Sequence, residues 1–407
     1  MSQTDLISYL GGWEGYRIAK VTTSGTDKQK RFEIVLVPRF QEKLLCPSCG
    51  KRCTGVHDTS VRLIRDLPIL DAQTYLRVRR RRLWCPRCGP VLEALPWLEK
   101  YARVTARLAE SVAKLCCVLP IKQVAEFYGL SWDQVKEIDK RSLQNGFGSV
   151  DLSDVEVIGM DEFALRKGHD YATVIVEPHR RKVLFVATGR GRESIRPFFQ
   201  QLGEEGCKRL KAVAMDMNGA FETEVKANCP QAAIVYDLFH VVAKYSREVL
   251  DKVRNAEADR LKDDKKARKV IRTSRWLLLR NSRNVKGDDM LRLQELLEAN
   301  QNLLTVYLLK EDLKQLWRFR CTEEAKLFWE QWHRRAMESN IEQLTTFAKR
   351  LQPYLQGILN HCLYQLHTGI LEGINNKIKV IKRMAYGFRD HDYFFLKIRA
   401  AFPGIPG

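Results

Sequence analysis

Val155-Glu156-Val157-Ile158-Gly159-Met160-Asp161-Glu162 is a short, mostly apolar run that closes on a carboxylate, Asp161. Its length and branched side chains predict a buried strand. Two further strand-length runs follow, Tyr171–Glu177 and Lys182–Thr188, separated by the turn Pro178-His179-Arg180-Arg181. A helical stretch, Arg192–Leu202, leads to a fourth strand, Leu210–Met215, which also closes on an acid, Asp216. A fifth, Ala232–Tyr236, runs into Asp237-Leu238-Phe239-His240, where a helix begins and continues to Val253.

Three strands, a helix and a strand, with acids closing the first and fourth strands, is the order of a ribonuclease H-like α/β fold. Such acids lie side by side where neighbouring strands end, a place suited to holding divalent metal against a phosphodiester. Asp237 and His240 sit on the same edge. His240 reads either as a polar residue of a helix N-terminus or as a contact to the scissile phosphate or a positioned water.

The third carboxylate lies far downstream. Residues 251–369 are charged and helix-forming, and they read as an all-helical insertion with Trp276, Trp317, Trp329 and Trp332 on its packed faces. At 100° per residue, Ile370, Ile374, Ile378 and Ile381 then share one helix face that would pack on the sheet. Glu372, Asn375, Asn376, Lys379 and Arg383 share the other, where an acid among amides and cations suits metal and nucleic-acid backbone together. Adjacent asparagines have poor helix propensity and invite a functional reason. Lys382–Arg389 and Tyr393-Phe394-Phe395 form a basic and aromatic closing segment.

Length and charge agree with this division. A chain of 407 residues implies two to four domains. A net charge of +20 favours a polyanion partner, through faster encounter and salt-dependent affinity for phosphate. The start does not resemble a signal peptide, and no apolar run reaches the roughly 18–20 residues that span a bilayer. A cytoplasmic, nucleoid-associated protein is expected, whose eleven cysteines are thiols and metal ligands rather than disulfides.

Two of those cysteine pairs are knuckles, Cys46-Pro47-Ser48-Cys49 and Cys85-Pro86-Arg87-Cys88. Four soft ligands brought together by a β segment suit one structural Zn²⁺ with no open position. Cys53 is a less well spaced substitute ligand, and a redox dithiol is the rival reading. Ahead of them, Tyr16–Thr22 and Arg31–Val37 read as a hairpin around Ser24-Gly25-Thr26-Asp27. Val61–Ile64 and Thr74–Val78 are β-rich pieces between the knuckles. Arg79, Arg80, Arg81 and Arg82, beside Trp84, are candidate phosphate contacts.

Thr105–Cys117 is an apolar-periodic helix, and Ile121–Tyr128 and Trp132–Leu143 form a pair joined by Gly129-Leu130-Ser131. Ala125 is small where the helices cross, Gly129 can take positive φ, Ser131 can cap the next helix, and Val135 and Ile138 face the core. This is a helix-turn-helix pattern, with Gln134, Lys136, Lys140 and Arg141 outward on the candidate recognition helix. Asn145–Ser149 reads as a linker.

These motifs together resemble the DDE transposases of bacterial insertion sequences, most closely the ISL-three family. The likeness rests on the paired knuckles, the helix-turn-helix, Gly159–Phe163 with Arg166-Lys167-Gly168 behind it, Asp237–Val241 and Glu372–Lys377, and it covers nearly the whole chain. The resemblance implies an α/β multidomain chain: a β-rich zinc-binding module (1–100), a helix-turn-helix (101–148), a ribonuclease H-like catalytic core (149–250), a helical insertion (251–368) and a final catalytic helix with a basic segment (369–407). It implies two Mg²⁺ ions, with Mn²⁺ as a substitute, held by Asp161, Glu372 and a middle acid. Asp216 is preferred for that position and Asp237 remains open, with His240 similar to a histidine near the scissile phosphate. The implied partners are double-stranded DNA, as terminal inverted repeats and target, and a second copy in a dimer or larger synaptic assembly, with no membrane. The alternatives are a DNA-binding regulator that no longer cuts and a resolvase-type nuclease.

Overall fold

The computed structural model describes residues 11–25, 30–39, 44–166, 168, 170–280, 282–366 and 369–405. Thr26, Asp27, Lys167 and Asn281, as well as the first ten residues, lie outside the described residues. The chain divides into two units, Met1–Gly148 with Arg383–Gly387, and Ser149–Lys382 with Phe388–Gly407.

The first unit carries β1 (Tyr16–Ser24), β2 (Arg31–Pro38), β3 (Gly55–Ile69), β4 (Ala72–Cys85) and β5 (Gly89–Leu92) in one sheet of order β1-β2-β4-β3, with β5 also on β4. β1 and β2 form the expected antiparallel hairpin. The β-rich pieces between the knuckles are parts of two much longer strands, paired from Gly55↔Trp84 to Ile69↔Ala72. Alternation along β4 turns Leu76, Val78 and Arg80 inward. Three helices follow: α1 (Ala106–Cys116), α2 (Ile121–Tyr128) and α3 (Trp132–Phe147). They bury Leu108, Val112, Val124, Ala125, Tyr128 and Val135 among themselves. Buried Asp66 on β3 accepts from the Trp13 indole at 3.0 Å and the Thr105 hydroxyl at 2.6 Å and pairs with Arg107, fixing the start of α1. The expected linker begins later than its composition suggests, because α3 runs on through Phe147.

The second unit is built on β6 (Val157–Ala164), β7 (Tyr171–Glu177), β8 (Lys182–Thr188), β9 (Ala212–Met215) and β10 (Ala233–Tyr236), in the order β10-β9-β6-β7-β8. β6, β7 and β8 are antiparallel neighbours, while β9 lies parallel to both β6 and β10. This is a mixed-sheet ribonuclease H-like core. Between the strands run α4 (Arg192–Arg209), broken at Gly203 where φ is +72°, and α5 (Gly219–Asn228); α6 (Leu238–Tyr245) follows β10. The period of two sorts the sheet residues onto two faces. Ile158, Met160, Val213, Met215, Ile234 and Tyr236 join one core with α4, α5 and the helical insertion. Phe163, Val174, Val176, Val183 and Val186 join another, closed by Leu371, Ile374 and Ile378 of the Gly369–Met384 helix and Phe394 and Ile398 of the His391–Ala401 helix.

The insertion is all-helical from Asp251 to Cys362. Trp329 and Trp332 are buried and stacked at 5.2 Å, and the Trp332 indole donates to the Leu309 carbonyl. Trp317 donates to the Tyr236 carbonyl. Trp276 departs from the expectation: it is exposed, with the Arg275 guanidinium over its ring.

Candidate active site

Strand register brings the acids together. β6 and β9 pair in parallel up to Gly159↔Ala214, and two residues beyond that pair Asp161 and Asp216 come close enough for their charges to act on one another. β9 and β10 pair up to Met215↔Tyr236, which sets Asp237 beside Asp216 in the same way. Asp161 shares the strand face of Gly159 and Phe163, the side covered by the Gly369–Met384 helix. One expectation is corrected here. β6 does not end at Asp161; it continues to Ala164 against β7, and only its pairing with β9 stops before the acid. The carboxylate therefore sits within a strand that is still paired on its other side, at the point where the pairing with β9 has stopped.

The cluster is electrostatically loaded. Burial pushes the Asp161 carboxyl up to about 6, and the neighbouring Asp216 and Asp237 push it the same way, while the Glu162 N–H and His240 oppose the shift. Burial also raises Asp216, again with Asp237 adding to the effect. Asp216 Oδ1 is buried without a hydrogen-bond partner, an orphan acceptor of the kind that a cation satisfies. Asp237 is differently employed. It caps α6, accepting from the Phe239 N–H at 2.8 Å, and its Oδ2 lies 3.7 Å from His240 Nε2.

Two polar residues that the sequence reading passed over belong to this cluster. Glu162 is raised by burial and by Asp216, and its Oε1 accepts from Asn218 Nδ2 at 2.6 Å. Asn218 in turn caps α5 through its own Oδ1. Both are one or two residues from an acid already singled out, and that adjacency was the available signal.

Glu372 is exposed on the Gly369–Met384 helix, one turn before Asn375. Asn375 is itself buried and donates to Asp161 Oδ2 at 2.6 Å, which corrects its assignment to the DNA-facing stripe. Asn376, Lys379 and Arg383 are exposed as expected.

In the first unit, the sulfur atoms of Cys46, Cys49, Cys85 and Cys88 all lie within 4.8 Å of one another, the only such His/Cys/Asp/Glu group among the described residues. Cys53 is buried nearby but outside the set. Each knuckle is a tight turn: the Gly50 N–H returns to the Cys46 carbonyl, and Gly50 and Gly89 adopt φ of +70° and +72°. Backbone N–H groups of Cys88 and Arg87 lower the Cys85 thiol to about 6. Four converging thiols with one predisposed to ionise form a structural zinc site.

Comparison with known proteins agrees with this architecture. A model of the ISL3 DDE family, described as "Transposase", matches residues 158–398. A "Helix-turn-helix domain of transposase family ISL3" matches residues 93–143, and a "zinc-finger of transposase IS204/IS1001/IS1096/IS1165" matches 43–88. The transposase for insertion sequence element IS1001 of Bordetella parapertussis is 51% identical over 405 residues, 99% of each chain. The transposase for IS1557 of Mycobacterium tuberculosis is 26% identical over 377 residues, 86% of this chain and 84% of that one.

The chain belongs to the ISL3 family of insertion-sequence transposases. It is a DDE-type transposase, and the acid cluster lies within its matched catalytic domain.

The transposase's helix-turn-helix is held by local turn and capping contacts. Gly129 takes φ of +61°, and Ser131 and Gln134 form a reciprocal capping box. Gln134 is exposed, but its side chain is occupied at the helix start, with Oε1 accepting from the Ser131 N–H at 3.0 Å. Arg141 is exposed and paired with Glu99 and Glu137. Lys136 and Lys140 are half-buried, with Lys136 over the Trp132 ring. Of the arginine run, Arg79 and Arg82 are exposed and Arg81 is half-buried against Glu93. Arg80 is corrected. It is 2% exposed and donates to the Glu93 carbonyl at 2.6 Å, so it braces the sheet instead of meeting phosphate. No helix among the described residues is long and apolar enough to cross a membrane.

Proposed function

We propose that this transposase binds the terminal inverted repeats of its own element, hydrolyses the phosphodiester at the element boundary, and joins the freed 3′-hydroxyl to target DNA. Asp161, Asp216 and Glu372 would hold two Mg²⁺ ions, with Mn²⁺ as a substitute. When bound, such ions supply Lewis-acid stabilisation of the attacking and leaving oxygens in an in-line displacement. The observation that supports the reading is the strand register that brings Asp161 and Asp216 near one another, on a sheet whose Asp161 face is packed by the helix that bears Glu372. The donor set suits a hard dication: all oxygen, two aspartates that burial and a neighbouring carboxylate raise above the usual carboxylate range, and one orphan carboxylate oxygen.

Within that cluster His240, half-buried beside Asp237, would donate to a phosphate oxygen or a positioned water. Asn376, Lys379 and Arg383 would contact the DNA backbone from the exposed side of the Gly369–Met384 helix, and Arg79, Arg81 and Arg82 would make separate phosphate contacts from the first unit. Gln134, Lys136, Lys140 and Arg141 would face the recognised end. Two ends must meet for joining, so at least a dimer is expected, acting at the nucleoid in the cytoplasm.

Asp161→Asn tests the reading. Binding of an element-end duplex should be unchanged and strand cleavage abolished; a variant that still nicks the end at the native rate would overturn it.

A further inference from the structure

Asn375 does not sit where its polarity suggests. The buried residues of the Gly369–Met384 helix are Leu371, Ile374, Asn375 and Ile378, an i, i+3, i+4, i+7 stripe whose single polar member is this asparagine. Its Nδ2 donates to Asp161 Oδ2 at 2.6 Å and lies 3.4 Å from the Glu162 carbonyl. The other carboxylate oxygen, Asp161 Oδ1, accepts from the Glu162 N–H at 2.7 Å. One oxygen of Asp161 is therefore held by its own strand and the other by the helix.

We infer that Asn375 is a positioning residue of the metal site. Its amide fixes the orientation of the Asp161 carboxylate and, because Glu372 lies one turn away on the same helix, sets the height at which Glu372 is presented to Asp161. This role rests on the proposed metal-holding function of Asp161. The residue type suits it. A carboxylate at 375 would add negative charge to a cluster already short of counter-charge, and a lysine would neutralise Asp161 in the metal's place. An amide donates a hydrogen bond and leaves the charge uncompensated for a cation. A DNA contact would need an exposed side chain, and Asn375 is 9% exposed. Its own Oδ1 is buried and unpartnered, which a residue serving only the helix would not retain.

Mn²⁺ binding to the full-length protein, followed by the loss of the free-ion paramagnetic resonance signal, provides the test. Asp161→Asn is compared first; if it binds Mn²⁺ as the wild type does, the metal-holding reading of the acids fails and this inference fails with it. Given a loss there, Asn375→Ala should weaken Mn²⁺ binding by about 10- to 100-fold, as removing an outer partner of a ligand does, with element-end affinity unchanged. Unchanged Mn²⁺ affinity with reduced end affinity would overturn the inference and return Asn375 to the DNA-facing set. Asn375→Asp keeps the volume and removes the donor. Its melting temperature should fall without Mn²⁺ and recover with it, and a melting temperature indifferent to Mn²⁺ would also overturn the inference.

Discussion

Leu371 lies directly over Gly159: a Cβ added to Gly159 would come within 3.1 and 3.3 Å of the two Leu371 methyl carbons and 3.3 Å of a Val176 methyl. The glycine, two residues before Asp161 on the same strand face, lets the Gly369–Met384 helix approach the sheet closely enough for Asn375 to reach that acid. Gly159→Ala asks its neighbours to yield a few tenths of an ångström, whereas Gly159→Val should overpack the contact at a cost of about 1–3 kcal/mol. The valine variant is expected to melt lower and to lose most end cleavage while still binding an element-end duplex. Wild-type cleavage by Gly159→Val would show that the helix need not sit this close.

Asp216 and Asp237 should separate on substitution. Asp216 Oδ1 has no hydrogen-bond partner, whereas Asp237 is the N-cap of α6 and keeps that duty as asparagine, since Asn and Asp cap comparably. Asp216→Asn should abolish cleavage and weaken Mn²⁺ binding with little change in stability. Asp237→Asn should retain stability and measurable cleavage, while Asp237→Ala should lose about 1 kcal/mol as the cap is removed. Parallel cleavage assays and urea melts decide it, and the reverse ranking would make Asp237 the middle ligand.

What could be read from sequence and what could not follow from the same periodicity. The strand acids were legible because Ile158 and Met160 alternate with Gly159 and Asp161, so one face of a buried strand carries a carboxylate with nothing apolar to do. The zinc ligands were legible because a two-residue knuckle spacing is local. Arg80 was hidden by its neighbours: in a row of six positions, five of them arginine, the charge is conspicuous and the period of two that turns Leu76, Val78 and Arg80 inward is not. Asn375 was hidden similarly. Counting the apolar stripe from Ile370 puts it on the wet face, whereas counting from Leu371 puts it on the packed one, and only tertiary contact chooses between them.

The raised Asp161 carboxyl predicts a pH-dependent stability that metal reverses. Its ordinary value is 3.8 and its folded value about 6, so the folded chain holds the proton more tightly than the unfolded chain. The stabilisation this gives is complete below about pH 3.8 and is lost as pH rises through about 6. Asp161→Asn cannot ionise and keeps a neutral side chain throughout. Without metal, its melting temperature should match the wild type at the acid end of that window and exceed it at neutral pH. Added Mn²⁺ should raise the wild type at neutral pH and leave the variant unmoved. A constant gap across the window would show that Asp161 is not held protonated by its surroundings.

The two kinds of arginine in the β4 run should fail in different ways. Glu93 accepts from the Tyr16 hydroxyl at 2.7 Å and from Arg81 Nε at 2.7 Å, and buried Arg80 spans its main-chain carbonyl and lies 3.8 Å from its carboxylate. Arg80→Ala removes a buried cation from that network and opens a void, and losses of about 3–5 kcal/mol accompany the breaking of such pairs. Arg79→Ala removes an exposed side chain and should change stability by no more than about 0.5 kcal/mol. If Arg79 meets phosphate, its loss should reduce the slope of log affinity against log salt by about 1 while weakening element-end and unrelated duplexes alike. Urea melts alongside binding at several salt concentrations measure both quantities. An Arg80→Ala protein of native stability, or an Arg79→Ala protein with the native salt slope, would show that the alternation along β4 does not divide bracing arginines from DNA-facing ones.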